Sequence, residues 1–190
     1  MKVVAFNGSP RVNGNTHQAL MMVLEELRKE GIETELIDIC REELKPCKAC
    51  GTCKRNKDER CVIDDDLLNE YVQKMKSANG IIIGSPVYFG NMSAQTKALI
   101  DRAGFVVGGN DDMLRRKVGA AVAINRRAGA LETFGEINKF FLISQMIVPG
   151  SNYWNVGTAS KPGDIISDEE GVRTFKILGQ NMAWLLKKLD

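Results

Sequence analysis

The chain has 190 residues, enough for one domain with a full core, and its 44% hydrophobic and 26% charged residues are ordinary for a globular protein. A net charge of +2 gives no basic footprint for nucleic acid. No apolar run approaches the roughly 20 residues that span a bilayer, and the N-terminus lacks the basic-then-apolar order of a signal peptide, so a cytoplasmic protein without a membrane partner is expected.

Taken in chain order, Val3-Val4-Ala5-Phe6 predicts a short buried strand within Lys2 to Asn7. A glycine-rich turn follows. Ala19, Leu20, Val23, Leu24 and Leu27 then recur at helical spacing between Thr16 and Glu30, and Gly31 ends that helix. Thr34 to Ile39 alternates as a second strand. A cysteine-rich irregular segment with Pro46 and Gly51 comes next, and Asp64-Asp65-Asp66 is expected to open another helix, where acids suit the dipole. Ile81-Ile82-Ile83-Gly84 is a third strand, Ala94 to Ala103 a helix, Val118 to Ile124 a fourth strand and Leu131 to Phe141 a helix. Met146-Ile147-Val148 is the expected fifth strand, Gly157 to Asp168 a surface loop, and about Ser167 to Lys188 the last helix. Continuous apolar strands alternating with helices predict an α/β, doubly wound, five-stranded parallel sheet covered on both faces. Ligands of such sheets bind beyond the carboxyl ends of the strands.

Three loops leave those ends. The first, Gly8-Ser-Pro-Arg-Val-Asn-Gly-Asn-Thr16, runs into a helix N-terminus, whose free N–H groups and positive dipole end suit a phosphate. Ser9, Asn15 and Thr16 add polar donors and Arg11 a charged one. Neither the Walker A nor the Gly-x-Gly-x-x-Gly pattern is present. The bland alternative is a polar turn that only caps a helix. The second loop, Gly84 to Ser93, carries Tyr88 and Phe89, which suit a flat ring or plug the local core. The third is Asn125-Arg126-Arg127-Ala128-Gly129, otherwise a surface charge pair. One shared site explains three such loops better than three coincidences.

Four of the five cysteines lie at Cys47, Cys50, Cys53 and Cys61. Two-residue gaps let neighbouring thiolates reach different irons of one cubane cluster, with a fourth from further along. Lys45, Lys48, Lys54, Arg55, Lys57 and Arg60 surround them and favour thiolates. A structural zinc, free thiols and a disulfide remain open on spacing alone. Cys40 is expected to be a buried small hydrophobe. His17, the only histidine, is expected to be a solvent-facing or phosphate-side polar residue, with a catalytic proton donor as the alternative. Tyr153 and Trp154 either border the pocket or pack in the core or at a subunit contact. Asp101-Arg102 is expected to be a structural pair or an interface contact.

The chain resembles the flavodoxin-like NAD(P)H-dependent FMN reductase and iron–sulfur flavoprotein family. The resemblance rests on Gly8-Ser-Pro-Arg with Gly14-Asn15-Thr16, the cysteine segment, Ser85 to Ser93, Lys97 to Arg102 and Asn125-Arg-Arg. It implies one flavodoxin-like domain over residues 1–190, strand order 2-1-3-4-5, with a cysteine-rich insertion at about residues 44–63. Ser9, Arg11, Asn15 and Thr16 would hold the FMN phosphate. Pro86, Val87, Tyr88, Phe89, Gly90 and Asn91 would hold the ring or ribityl chain, and Asn125, Arg126 and Gly129 would complete the site. Relatives often carry paired glycines in that last loop, where Ala128 stands here. Cys47, Cys50, Cys53 and Cys61 would hold a [4Fe–4S] cluster exchanging electrons with FMN. The alternatives are a cluster-free NAD(P)H-dependent FMN or quinone reductase and a zinc-stapled flavin-binding sensor. A small-molecule or protein electron donor and acceptor, and a homodimer or homotetramer, are expected on the same resemblance. No catalytic side chain is required, because the cofactor carries the chemistry.

Overall fold

In a computed structural model describing residues 1–190, five parallel strands form one sheet in the order β2-β1-β3-β4-β5. The elements in chain order are β1 (Lys2–Asn7), α1 (Asn15–Lys29), β2 (Glu33–Asp38), α2 (Thr52–Asn56), α3 (Leu68–Ser77), β3 (Gly80–Pro86), α4 (Ala94–Gly109), β4 (Val118–Asn125), α5 (Ala130–Ile143), β5 (Val156–Thr158) and α6 (Glu169–Leu189). A single 3-10 turn, Asp164–Ser167, precedes α6.

The strand period of two divides the core between the sheet's faces. Val4, Phe6, Ile81, Ile83 and Ala121 face α3, α4 and α5, whose Leu68, Leu99, Ile137 and Phe141 are fully buried. Val3, Ala5, Ile82, Val118, Ala120 and Val122 face α1 and α6, which contribute Leu20, Leu24, Phe175 and Leu178. Covering on both faces explains why β1, β3 and β4 read as unbroken apolar runs, while the edge strand β2 is mostly half-buried. No helix is long and apolar enough to cross a membrane.

Several boundaries differ from expectation. The fifth strand is Val156–Thr158, not Met146–Val148. Ile147 forms only an isolated parallel bridge with Val118, at the start of β4, and β5 then pairs with Ala123 to Asn125 at its end. The edge strand is thus interrupted by residues 149–155, a segment that Ser151 Oγ holds by donating to Asn155 Oδ1 at 2.7 Å. The predicted surface loop from Gly157 contains the end of β5 and the 3-10 turn. The helix after the aspartate run begins at Leu68, because Asp66 Oδ1 accepts the Leu68 N–H at 3.1 Å in a turn of its own. Six α-helices are present where five were expected, α2 lying inside the cysteine segment and α4 running six residues past Ala103.

The close approach of α6 to α1 depends on Gly179. A Cβ there would stand 2.6 Å from the Val23 carbonyl oxygen and 2.7 Å from Glu26 Cβ. Gly179→Val should therefore lower the unfolding free energy by about 1–3 kcal/mol through overpacking. Gly135→Ala, in α5 with nothing within 4 Å of the new methyl, should raise it by about 0.5–1 kcal/mol. Urea denaturation of both variants checks the opposite signs.

Candidate functional site

The three predicted loops meet at the carboxyl edge of the sheet. Ser9, Arg11, Asn15, Thr16, Pro86, Val87, Tyr88, Asn125 and Arg126 line one cleft of about 220 Å³, joined by Ile124, Ala159 and Ser160. The segment after β5, which the sequence did not single out, forms its remaining wall.

The floor of the cleft is an open helix end. Gly14 caps α1 without a side chain, and the first turn of α1 carries no acid. By contrast, α4 is capped by Ser93, while α6 is capped by Asp168 and has Glu169 and Glu170 in its first turn. The first backbone donor of α1 used within the chain is Gln18 N–H, to Gly14 O at 3.0 Å. The N–H groups before it and the positive end of the helix dipole are left for an external anion. Asn15 takes a different part from the one expected. Its Nδ2 donates to Lys161 O at 2.8 Å and its Oδ1 accepts the Gly163 N–H at 2.8 Å. That side chain fastens the post-β5 wall, so Asn15 offers an anion its backbone N–H alone.

Behind the cleft the loop is set by buried polar bonds. Gly8 N–H donates to Gly84 O at 2.8 Å, and Gly8 O accepts Ser93 Oγ at 2.7 Å and Cys40 Sγ at 3.3 Å. Asn7 Oδ1 accepts the Ser9 N–H at 3.1 Å, and Asn7 Nδ2 donates to Asp38 Oδ1 at 2.8 Å. Burial raises the Asp38 pKa, but the Asn7 hydrogen bond with the Arg41 and His17 charges outweighs it and holds the carboxyl below its usual range. His17 faces this aspartate, Nδ1 to Oδ1 3.6 Å, and does not line the cleft. Cys40 is half-buried rather than a core hydrophobe, and burial followed by the Asp38 charge pushes its thiol up to about 11.

The second loop turns back on itself. Tyr88 and Asn91 exchange both backbone hydrogen bonds, at 2.8 and 3.1 Å. Phe89 (φ 50°) and Gly90 (φ 78°) sit at the tip, both in the left-handed region that such two-residue turns require. Phe89 is fully exposed there, and Phe89, Gly90 and Asn91 stand outside the cleft's lining. Gly129, the N-cap of α5, also lies outside it, and its Cα packs beside Val87 and Gly90. Tyr153 and Trp154 are half-exposed and pack on each other, ring centroids 4.6 Å apart, and neither is part of the cleft's lining.

The four clustered cysteines come together in a second place. Cys47, Cys50, Cys53 and Cys61 line one pocket with Val62, Ile63, Phe105, Val106 and Arg102. All five cysteines are free thiols. No three His, Cys, Asp or Glu side chains converge on a single-ion position, and the free space at the centre is about 20 Å³. Two asparagines that the sequence reading missed clamp the segment. Asn69 accepts the Cys61 N–H at 2.7 Å and donates to Cys61 O at 3.0 Å, and Asn110 donates to Cys53 O at 3.4 Å. Both are ordinary polar residues in sequence, so only the fold exposes their role. Arg102 does not pair with Asp101, which instead meets Lys97. It turns inward, fully buried, to Asp66. Burial opposes its charge, but the Asp66 carboxylate and the Cys61 sulfur outweigh that and hold the guanidinium pKa above its ordinary value.

The sequence matches the family of NADPH-dependent FMN reductases over residues 1–161. It is 44% identical to an iron–sulfur flavoprotein of Methanocaldococcus jannaschii, covering 98% of both chains. It is 39% identical to an iron–sulfur flavoprotein of Methanosarcina thermophila, covering 100% of this chain and 97% of that one. Among solved structures, a flavodoxin from the domain Archaea superposes with a TM-score of 0.65 at 17% identity, over 98% of this chain and 99% of the other, which establishes the flavodoxin-like fold.

Two outcomes test this geometry. At Gly8 a Cβ would stand 1.8 Å from Thr96 Oγ1 and 3.1 Å from Gly84 O. Gly8→Ala should therefore displace the first loop and weaken FMN binding by about tenfold or more, the equivalent of roughly 1.4 kcal/mol, as read by fluorescence titration. For Cys40 the folded pKa of about 11 lies above the ordinary 9.0. Its contribution to stability is full below pH 9 and is lost as pH rises toward 11, because the unfolded thiol ionises first. Iodoacetamide should leave Cys40 unlabelled at pH 8 and react only as pH approaches 11, followed by peptide mass spectrometry.

Proposed function

The chain belongs to the NADPH-dependent FMN reductase and iron–sulfur flavoprotein family, and from that premise we propose that it exchanges electrons between FMN in the sheet-edge cleft and a [4Fe–4S] cluster on its four clustered cysteines. It is a flavin-dependent oxidoreductase with FMN as its cofactor. Bound FMN supplies hydride and single-electron chemistry at its ring, and the protein supplies position and electrostatics.

For FMN, the open N-terminus of α1 carries the reading. Backbone N–H groups there, with Ser9, Thr16 and Arg11, suit a phosphate dianion. Pro86, Val87, Tyr88, Asn125 and Arg126 line the same cleft, where a ribityl chain and ring would extend from that phosphate. The exposed turn at Phe89 to Asn91, braced by Gly129, would lie at the outer end of such a ligand.

For the cluster, the single observation that carries the reading is the shared pocket. Four thiols line it, its other walls are largely apolar, and Arg102 Nε is a buried donor with no acceptor. Thiolates bound to different irons of a cubane stand further apart than four gathered on one ion. Four cysteines that share a pocket without converging on one point therefore favour a cluster over zinc. The narrow centre favours a second reading, a cluster-free NAD(P)H-dependent FMN or quinone reductase whose thiols stay free.

We assign residues 1–190 to one flavodoxin-like domain with its cysteine-rich insertion at about residues 44–63. Free thiols suit a reducing cytoplasm. Exposed Phe105 and Ile143 on an apolar groove between α4 and α5 support a homodimer or homotetramer. The partners are a small-molecule or protein electron donor and acceptor.

Anaerobic purification with an absorbance spectrum and iron and sulfide assays tests the function. FMN bands with about four irons and four sulfides per chain are expected. Flavin without iron or sulfide would select the cluster-free reductase. A colourless chain that takes up no added FMN would remove both readings.

A further inference from the structure

We infer that Arg102 is the hydrogen-bond donor and fixed cation of the four-cysteine pocket, and that it raises the reduction potential of the group those thiolates hold. The inference rests on the reading of that pocket as a cluster site and adds a residue outside the cysteine set.

The guanidinium is fully buried. One end is committed: Nη1 donates to Asp66 Oδ2 and to Lys45 O at 3.2 Å, and Nη2 donates to Ile63 O at 2.9 Å. These three acceptors come from the chain just before Cys47 and just after Cys61, so they fix the planar group at the base of the cysteine segment. The remaining edge is not committed. Nε–H is buried and meets no acceptor, and Arg102 lines the same pocket as the four cysteines. A buried donor left unpaired costs free energy comparable to a lost hydrogen bond. Sulfur atoms of a bound cluster are the acceptors that this pocket would supply.

The electrostatic consequence has a definite sign. Each electron taken up adds a negative charge to the cluster. A fixed positive charge and a hydrogen bond to sulfur both stabilise the more negative state, and so raise the potential. Asp66 works the other way. It holds the guanidinium in place and offsets part of its charge. Lysine would keep the charge but cannot occupy Asp66 and two carbonyls while presenting a separate side-on N–H.

The test uses the holoprotein, purified anaerobically, with iron and sulfide measured before potentiometry. Relative to wild type, Arg102→Lys should keep iron and sulfide but move the cluster midpoint to more negative potential. Arg102→Gln should move it further, and Asp66→Asn should move it to more positive potential. The FMN midpoint serves as the internal reference and should not follow these shifts. A role in packing alone predicts no such pair of opposite signs. Unchanged midpoints in fully loaded variants overturn the role of Arg102 and leave the cluster reading standing. A wild-type chain without iron and sulfide overturns both. Where a variant fails to fold or load, wild-type protein carrying 15N at arginine Nε decides the matter. The reduced cluster should show a resolved 15N hyperfine coupling, and its absence overturns the inference.

Discussion

Gly8 is tied from three directions through its N–H and its carbonyl, and the cleft at the sheet edge depends on it. Its N–H reaches the end of β3 at Gly84, and its carbonyl receives Ser93 from the start of α4 and Cys40 from beyond β2. Parallel strands force this convergence, because each strand leaves the sheet at the same edge and its loop must cross its neighbours. A side chain at residue 8 would collide with Thr96, so the crossing is close enough to require glycine. The first loop is thus held from behind by the sheet and by α4, and the N–H groups of Asn15, Thr16 and His17 in the first turn of α1 are left without an acceptor in the chain. Asn7 and Asp38 extend the same bracing to the far side of the loop.

The second centre is built differently. The cysteine segment contains only five helical residues of its own, in α2. Its order comes from polar groups on neighbouring helices: Asn69 on α3, Arg102 on α4, and Asn110 at the end of α4. The Arg102–Asp66 pair is the deepest of these. Such a pair is a weak source of net stability, since desolvation offsets much of its attraction, yet removing one member leaves a costly buried charge. Its value lies in specificity of placement. It anchors the two flanks of the cysteine loop to one point on a rigid helix.

Most of the fold was legible because its cues are local. Val3 to Phe6, Ile81 to Ile83 and Val118 to Ile124 are apolar on both faces, which only central parallel strands require. The fifth strand was misplaced for a physical reason. Met146-Ile147-Val148 has the stronger strand composition, but it pairs with β4 only through Ile147. Val156-Gly157-Thr158 looks weak because it contains glycine, yet a Cβ at Gly157 would stand 2.6 Å from Ile165 and 3.0 Å from Phe175. Packing beneath the sheet selected the residue that propensity disfavours. In the site, the loop residues Ser9, Arg11, Thr16 and Tyr88 were legible from their position after buried strands. The wall at Ala159 and Ser160 was not, because it follows the misplaced strand. Nor was the Arg102–Asp66 pair, whose members are 36 positions apart.

Helix α4 joins the two centres. Its N-cap Ser93 donates to Gly8 in the loop after β1, and Arg102 in its middle lines the cysteine pocket. Nine residues separate them, about 14 Å of helix at roughly 1.5 Å per residue. The spacing of the two pockets within one chain is therefore set by a single helix rather than by the mostly irregular cysteine loop. Its next turn continues the clamp, with Phe105 O accepting Cys53 Sγ at 3.6 Å and Asn110 binding the Cys53 carbonyl and the Glu59 N–H. A helix fixed at one end to the loop after β1 and along its length to the cysteine segment keeps both in register.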